Sequence, residues 1–232
     1  MSVSKTTGRL REVWRPILLF YVIAIVCRAI SVCVLPALYP GCRQNLCLQL
    51  CEGLGPALGA LAVMCFFKKK LYCSVAGKSL FRSMVCIAFP IALFLLFDKS
   101  NGASVSLIFL GCTAYAFLEE VGWRGYLTGE LKGMSQLKRV LIVTVFWFFW
   151  HINFPLGVSA LVFFAILLVS SWGLDQLAHD TRSLMLCACF HGIFNLFKHN
   201  DVLLNNGTTI TLLVLSIVAW FVIWYCPLKK HS

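Results

Sequence analysis

The sequence predicts an all-α, polytopic membrane helix bundle with about eight transmembrane helices, and three observations support this fold class. Sixty per cent of the 232 residues are hydrophobic. Only 12% are charged, about half of the roughly 25% that soluble domains carry. The hydrophobic residues form runs of about the 20 residues that a helix needs to cross a bilayer. We therefore expect one integral membrane domain over residues 1–232, embedded in a lipid bilayer.

The candidate spans can be justified in chain order. The first run is longer than a removable signal peptide and is followed by no small-residue cleavage site, so we expect it to remain as a span. The second and third contain Pro56 and Pro90, which helices in lipid tolerate as kinks. The fourth, fifth and seventh contain unusual polar residues. The eight predicted spans are 16–38, 51–67, 80–97, 103–127, 139–157, 158–174, 183–197 and 209–226.

The distribution of basic residues predicts the orientation. With the N-terminus inside, the inner segments hold fifteen of the 20 Lys and Arg residues, whereas the outer segments hold only Arg43, Lys99 and Lys198. Such a bias is typical of membrane proteins, whose cytoplasmic loops are enriched in Lys and Arg. It predicts that the N- and C-termini are both cytoplasmic. The formal charge of +11 does not indicate a nucleic-acid partner, because the basic residues lie between apolar runs rather than on one surface.

The twelve cysteines do not predict a disulfide framework. Most lie within apolar spans, where a thiol packs as a small hydrophobic group. Cys42, Cys47 and Cys51 share one predicted outer loop, which leaves room for one disulfide. Free packing thiols are the favoured interpretation.

Two adjacent carboxylates and an arginine lie within the fourth predicted span, as Glu119, Glu120 and Arg124. Ionised side chains at membrane depth are costly unless paired, so a functional site is the first hypothesis. The alternative is a purely structural ion pair, since Glu120 and Arg124 are four residues apart on one helical face. That alternative leaves Glu119 unexplained, because it points about 100° away around the helix.

Two further spans carry isolated polar residues. His151 follows an aromatic run, with Asn153 as a weaker candidate beside it. His191 and Asn195 are four residues apart and share a helical face, and Gly192 between them allows a close helix approach. Each signal alone is explained by packing. At about 1.5 Å per residue, however, the carboxylates and both histidines lie at similar depths, which predicts one shared polar site.

The order Glu-Glu-x-x-x-Arg, aromatic-x-x-x-His and His-x-x-x-Asn resembles the CAAX-protease and bacteriocin-processing family of intramembrane glutamate proteases. The motifs are Glu119–Arg124, Trp147–His151 and His191–Asn195, within a core of about residues 103–197. The family usually has Phe where this chain has Trp147. The aromatic ring is kept, but the pocket shape is expected to differ.

The resemblance implies an intramembrane endopeptidase in which Glu119 and His151 activate water while His191 and Asn195 hold the oxyanion. Glu120 and Arg124 would support them. It also implies a peptide or lipidated-protein substrate, no metal or other cofactor, and a multi-pass protein of the bacterial cell membrane. The chemistry agrees, because peptide hydrolysis needs a base for water, donors for the oxyanion and an acid for the leaving amine.

Three alternatives remain open at this point. A zinc-dependent membrane protease would use Glu119, His151 and His191 as metal ligands, a donor set that suits zinc. A non-catalytic membrane scaffold or bacteriocin self-immunity protein would use the polar residues only to hold helices together. A proton-coupled transporter would also bury carboxylates and histidines, but no inverted repeat is visible in the sequence.

Overall fold

The fold is known from a computed structural model. It describes the backbone of residues 3–39, 46–154, 156–198 and 206–225, and the side chains of these residues except at 3–13, 46–49, 197 and 198. Within these ranges the chain is helical apart from short connections and one isolated β-bridge, between Ser74 and Ser183. The all-α membrane fold class predicted from the sequence is confirmed.

Each predicted span corresponds to one helix in the described part of the chain. The helices are α1 Val3–Ala29, α2 Leu46–Phe67, α3 Leu80–Phe97, α4 Gly102–Glu120, α5 Gln136–Trp150, α6 Val158–Thr181, α7 Leu184–Lys198 and α8 Gly207–Tyr225. Two of them continue beyond these bounds. A π-helical turn, Ile30–Val34, and a short helix, Leu35–Leu38, extend α1. A π-helix, Val121–Leu127, and a last turn, Thr128–Glu130, extend α4.

Six of the eight helical segments are long and apolar enough to cross a membrane. The other two, α5 and α7, have 15 residues each, or about 22 Å of helix, against a hydrocarbon core of roughly 30 Å. The chain is thus a multi-pass membrane protein, and about eight spans describes it only approximately. The predicted fifth span, 139–157, extended too far, because the helix ends at Trp150 and the following turn places Ile152 at a φ of 59°.

The pairing of α1 with α2 depends on glycine. A Cβ atom on Gly55 would lie 2.6 Å from the Ala24 carbonyl oxygen, and one on Gly59 would lie 2.5 Å from that of Phe20. This spacing of two glycines four residues apart lets membrane helices approach at backbone contact. It places Arg28, near the end of α1, beside Glu52 at the start of α2, with 2.9 Å between Arg28 Nη1 and Glu52 Oε2.

Contacts between connecting segments divide the bundle into two ends. The loop after α2 meets the α6–α7 connection where the Ser74 N–H donates to the Arg182 carbonyl, at 3.0 Å. At the opposite end, the Thr209 hydroxyl donates to Asp98 Oδ2 at 2.7 Å. These contacts join predicted inner loops to inner loops and outer ends to outer ends. Which end faces the cytoplasm stays a prediction.

The predicted disulfide region is only partly described. Cys51 has a free thiol within the described residues. Cys42 and Cys47 lie outside the residues whose side chains the structure describes.

Candidate active site

The residues predicted from the three motifs meet at one cavity of about 270 Å³ inside the bundle. The side chains of Glu119, His151, His191 and Asn195 all line it. They come from α4, the end of α5 and α7, which are separated in sequence. The structure thus places the predicted site residues together, whereas Asn153 is exposed in the turn after α5 and is not part of the cavity wall.

Glu119 lies in the cavity wall with only 1% of its surface exposed. Its Oε2 atom accepts a hydrogen bond from the Trp147 indole Nε1–H, at 2.8 Å. The neighbouring Tyr115, one turn earlier on α4, lines the same cavity. The charge-assisted hydrogen bond from Trp147 holds the Glu119 carboxylate in one orientation. Trp147, the residue that differs from the usual Phe of the family, therefore directly positions Glu119.

Glu120 points into the packed interior and is held by two cationic or potentially cationic groups. Its Oε1 atom lies 3.2 Å from Arg124 Nη1 and 2.8 Å from His191 Nδ1. The predicted pairing of Glu120 with Arg124 is present. The contact with His191 was not foreseen from the sequence, because the two residues are 71 positions apart.

Arg124 is fully buried and makes two further contacts. Its guanidinium carbon lies 4.8 Å from the centre of the Trp147 ring, and its Nη2 atom lies 3.5 Å from Ser171 Oγ on α6. Arginine commonly stacks on aromatic faces in this way. Arg124 therefore links the Glu120 carboxylate to the aromatic residue that positions Glu119.

A π-helix begins directly after the two glutamates, over Val121–Leu127. Such segments occur inside α-helices and are frequent at functional sites. Gly122 lies in it, where a Cβ atom would come within 2.7 Å of the Pro56 carbonyl oxygen of α2. The widened turn is thus fixed against a neighbouring helix and carries Arg124 back towards Glu120.

His151 caps the C-terminal end of α5 and is held by its own helix. Its Nδ1 atom lies 2.7 Å from the Trp147 carbonyl oxygen. A carbonyl can only accept, so Nδ1 carries the hydrogen and the lone pair of the neutral ring is on Nε2. The ring also packs edge-on against Phe163 of α6, with 4.9 Å between ring centres. In this tautomer Nε2 is the ring nitrogen that can accept a proton.

His191 and Asn195 share one face of α7, as their spacing predicts. Gly192 allows the close approach to α4, because a Cβ atom there would lie 2.9 Å from Thr113 Oγ1. Asn195 is 8% exposed. Among the described residues, none accepts a hydrogen bond from its buried Nδ2 atom. The cavity therefore contains an amide donor that is available to a bound group.

Arg28 and Glu52 also line the cavity, and sequence reasoning assigned no role to either. The signal was present, since Arg28 lies within the first predicted span and a charge there is costly without a partner. That partner, Glu52, lies on α2, 24 residues away. Their proximity depends on helix packing that no local pattern reveals.

The three donors named for the zinc alternative, Glu119, His151 and His191, all line the cavity. Across the described parts of the chain, no three His, Cys, Asp or Glu side chains are grouped closely enough to hold a metal ion. Metal independence of the reaction itself stays a prediction.

Comparison with known families shows that Glu119, His151, His191 and Asn195 lie within a recognised segment. Residues 101–197 match the family model described as "Rce1-like: Type II CAAX prenyl endopeptidase Rce1-like". This range includes the whole motif-bearing core predicted over 103–197, and the predicted resemblance to the CAAX-protease family is confirmed. The chain matches no curated protein at a significant level.

Proposed function

We propose, from the match of residues 101–197 to the Rce1-like CAAX endopeptidase family model, that this chain is an intramembrane protease of the glutamate type. The observation that carries the proposal is the convergence of Glu119, His151, His191 and Asn195 on one cavity. If these four side chains only held the helices together, no cavity between them would be needed. A hydrolase needs one, because water and a peptide bond must both reach the reacting groups.

In the proposed first step, a water molecule lies between the Glu119 carboxylate and His151 Nε2. Glu119, as the general base, removes a proton from this water while the water oxygen attacks the carbonyl carbon of the scissile bond. The hydrogen bond from Trp147 keeps Glu119 in place for this transfer. When the tetrahedral intermediate collapses, the carbon–nitrogen bond breaks and the same proton passes to the leaving amine.

The oxyanion of the intermediate is proposed to bind between Asn195 and His191. The unpartnered Asn195 Nδ2 supplies one hydrogen bond. His191 Nδ1–H is directed at Glu120 Oε1, so Nε2 donates only when the ring is protonated. The proposed second hydrogen bond therefore comes from Nε2 of a His191 ring that carries hydrogen on both nitrogens. Preorganised donors of this kind stabilise charge that develops in the transition state.

The proposed substrate is a peptide or lipidated protein that enters from the bilayer. Two apolar residues of the cavity wall, Ile166 on α6 and Phe194 on α7, have 52% and 50% of their surface exposed. We propose that they border a lateral path between the cavity and the surrounding lipid. A prenyl chain would remain in an apolar environment along this path while the peptide bond reaches Glu119. The proposed location is the bacterial cell membrane, with both termini cytoplasmic.

The test compares the two adjacent glutamates in purified protein, with a fluorogenic farnesylated peptide ending in a CAAX sequence as substrate. Glu119→Gln should lower turnover by about 10²–10⁴-fold, the usual contribution of a general base, and should leave the melting temperature nearly unchanged. Glu120→Gln should retain measurable turnover but unfold more easily, because breaking one partner of a buried ion pair costs about 3–5 kcal/mol.

Full turnover in Glu119→Gln would remove the proposed mechanism and favour a membrane scaffold or self-immunity role. The reverse result, with only Glu120 essential and both variants equally stable, would keep the protease and move the base to Glu120.

A further inference from the structure

Arg28 is a buried cation in the wall of the cavity, on a helix outside the segment that matches the family. Its Nη1 atom pairs with Glu52 Oε2 at 2.9 Å. Its Nε atom is buried and has no hydrogen-bond partner among the described residues. An unsatisfied buried donor on a charged group is costly. Arg28 lines the cavity, so the wall contains a cationic group whose hydrogen-bonding capacity is not fully satisfied.

The position of Arg28 is fixed relative to the proposed reacting groups. Its guanidinium carbon lies 4.6 Å from the centre of the Trp150 ring, and Trp150 is held by a 3.1 Å hydrogen bond to the Ala24 carbonyl oxygen. The Trp150 and His151 ring centres are 5.2 Å apart. The distances from Arg28 to Trp150 and from Trp150 to His151 together set an upper limit on the separation of the Arg28 guanidinium from the His151 ring. This limit is about the length of three extended residues, at ~3.3 Å each.

We propose that Arg28 binds the free C-terminal carboxylate of the substrate. The inference rests on the proposed protease function and adds a substrate-binding residue to it. A chain end held at Arg28 would place a peptide bond within three residues of the terminus beside His151 and Glu119. Arginine suits this role, because its planar guanidinium binds carboxylates through several N–H groups while remaining charged.

Glu52 has a defined part in the proposed site. Without substrate, it balances the Arg28 charge, which would otherwise be buried alone at a high cost. Its side chain is more exposed than that of Arg28, so it has room to turn away from Arg28 when a substrate carboxylate arrives. Glu52 thus competes with the substrate for Arg28. A purely structural ion pair predicts no such competition.

The experiment measures binding and turnover with two probes that differ only at the chain end. Both are fluorescent peptides ending in S-farnesyl-Cys-Val-Ile-Met, one with a free carboxylate and one with a carboxamide. Binding is measured in the inactive Glu119→Gln background, and cleavage in the parent protein. The acid should bind about tenfold more tightly than the amide, as one charge-assisted contact predicts.

Three variants of the cavity wall distinguish binding of the substrate carboxylate from a purely structural role of the Arg28–Glu52 ion pair. Arg28→Met should bring the acid and amide affinities together. The double variant Arg28→Met/Glu52→Gln should do the same without leaving a buried charge unpaired, which protects the test against misfolding. Glu52→Gln should tighten binding of the acid and leave that of the amide unchanged, because it removes the competitor.

Arg139→Met is the matched control, since it breaks the 2.6 Å ion pair between Arg139 and Asp175 outside the cavity. It should lower the melting temperature and keep the acid preference. Equal binding of acid and amide by the parent protein, with cleavage intact, would overturn the inference and leave the proposed protease standing. Acid preference that depends on Arg28, with no cleavage of either probe, would retain the carboxylate site and overturn the protease.

Discussion

The helices inside and outside the family match contribute different groups to the same cavity. The matched segment supplies the carboxylate, both histidines and the amide, within 77 residues of sequence from Glu119 to Asn195. The unmatched helices α1 and α2 supply the Arg28–Glu52 pair. The first group can perform acid–base chemistry, whereas the second offers only charge and hydrogen bonds to a ligand.

The two regions are also assembled differently. Inside the match, side chains hold one another, as Trp147 holds Glu119 and Glu120 holds His191. Outside it, backbone contact at Gly55 and Gly59 brings α1 and α2 together. We therefore expect that reaction chemistry and substrate contact can be altered separately. Variants in the first region should change turnover, and variants in the second should change stability or substrate choice.

The largest effect in these comparisons is expected from Asn195→Ala in the matched region. Losing one oxyanion donor should lower kcat by about 10²–10³-fold with little change in KM, because the bond forms mainly in the transition state. Steady-state kinetics with the farnesylated peptide measure this split. Asn153→Ala, in the exposed turn after α5, is the control and should behave like the parent. A rise in KM alone would show that Asn195 binds substrate rather than the oxyanion.

A stability effect of intermediate size is expected from Gly59→Ala in the unmatched region. The new methyl group meets the Phe20 backbone, which cannot move aside, and overpacking of this kind costs about 1–3 kcal/mol. Thermal unfolding in detergent measures the loss. Gly173→Ala on α6 is the matched control, because a Cβ atom there has nothing within 4 Å. Equal stability of the two variants would show that α1 and α2 do not pack through this glycine.

A smaller effect on turnover is expected from Trp147→Phe, which restores the residue usual in the family. It removes the 2.8 Å hydrogen bond to Glu119, so kcat should fall about tenfold, as for loss of one bond to a charged group. Trp220→Phe, which removes an indole hydrogen bond to the Cys86 carbonyl, should lower stability and keep kcat. If both variants kept full turnover, Glu119 would not depend on Trp147 for its orientation.

No effect is expected from metal removal. The proposed mechanism uses no metal, so turnover should survive treatment with a strong chelator, and metal analysis should find substoichiometric zinc. Activity lost to the chelator and restored by zinc would instead make Glu119, His151 and His191 metal ligands. That result would favour the zinc-dependent protease over the metal-free mechanism.

Much of the fold was predictable because the bilayer imposes it. Backbone groups must be hydrogen-bonded internally in lipid, so apolar runs of sufficient length have to be helices. Helix ends were less predictable. The fifth helix ends at Trp150, the last residue of an aromatic run. The hydropathy of this run does not indicate that the helix ends there. The π-helix after Glu120 was equally invisible, because it depends on packing of Gly122 against α2.

The sequence by itself determined the membrane class and the candidate residues Glu119, His151, His191 and Asn195. Polar groups are so costly in lipid that their presence alone is informative. The contact between His191 and Glu120 became visible only in the folded protein. The tertiary structure also decided that Arg28 meets Glu52. These contacts join residues far apart in the chain, and no local periodicity specifies how helices pack against one another.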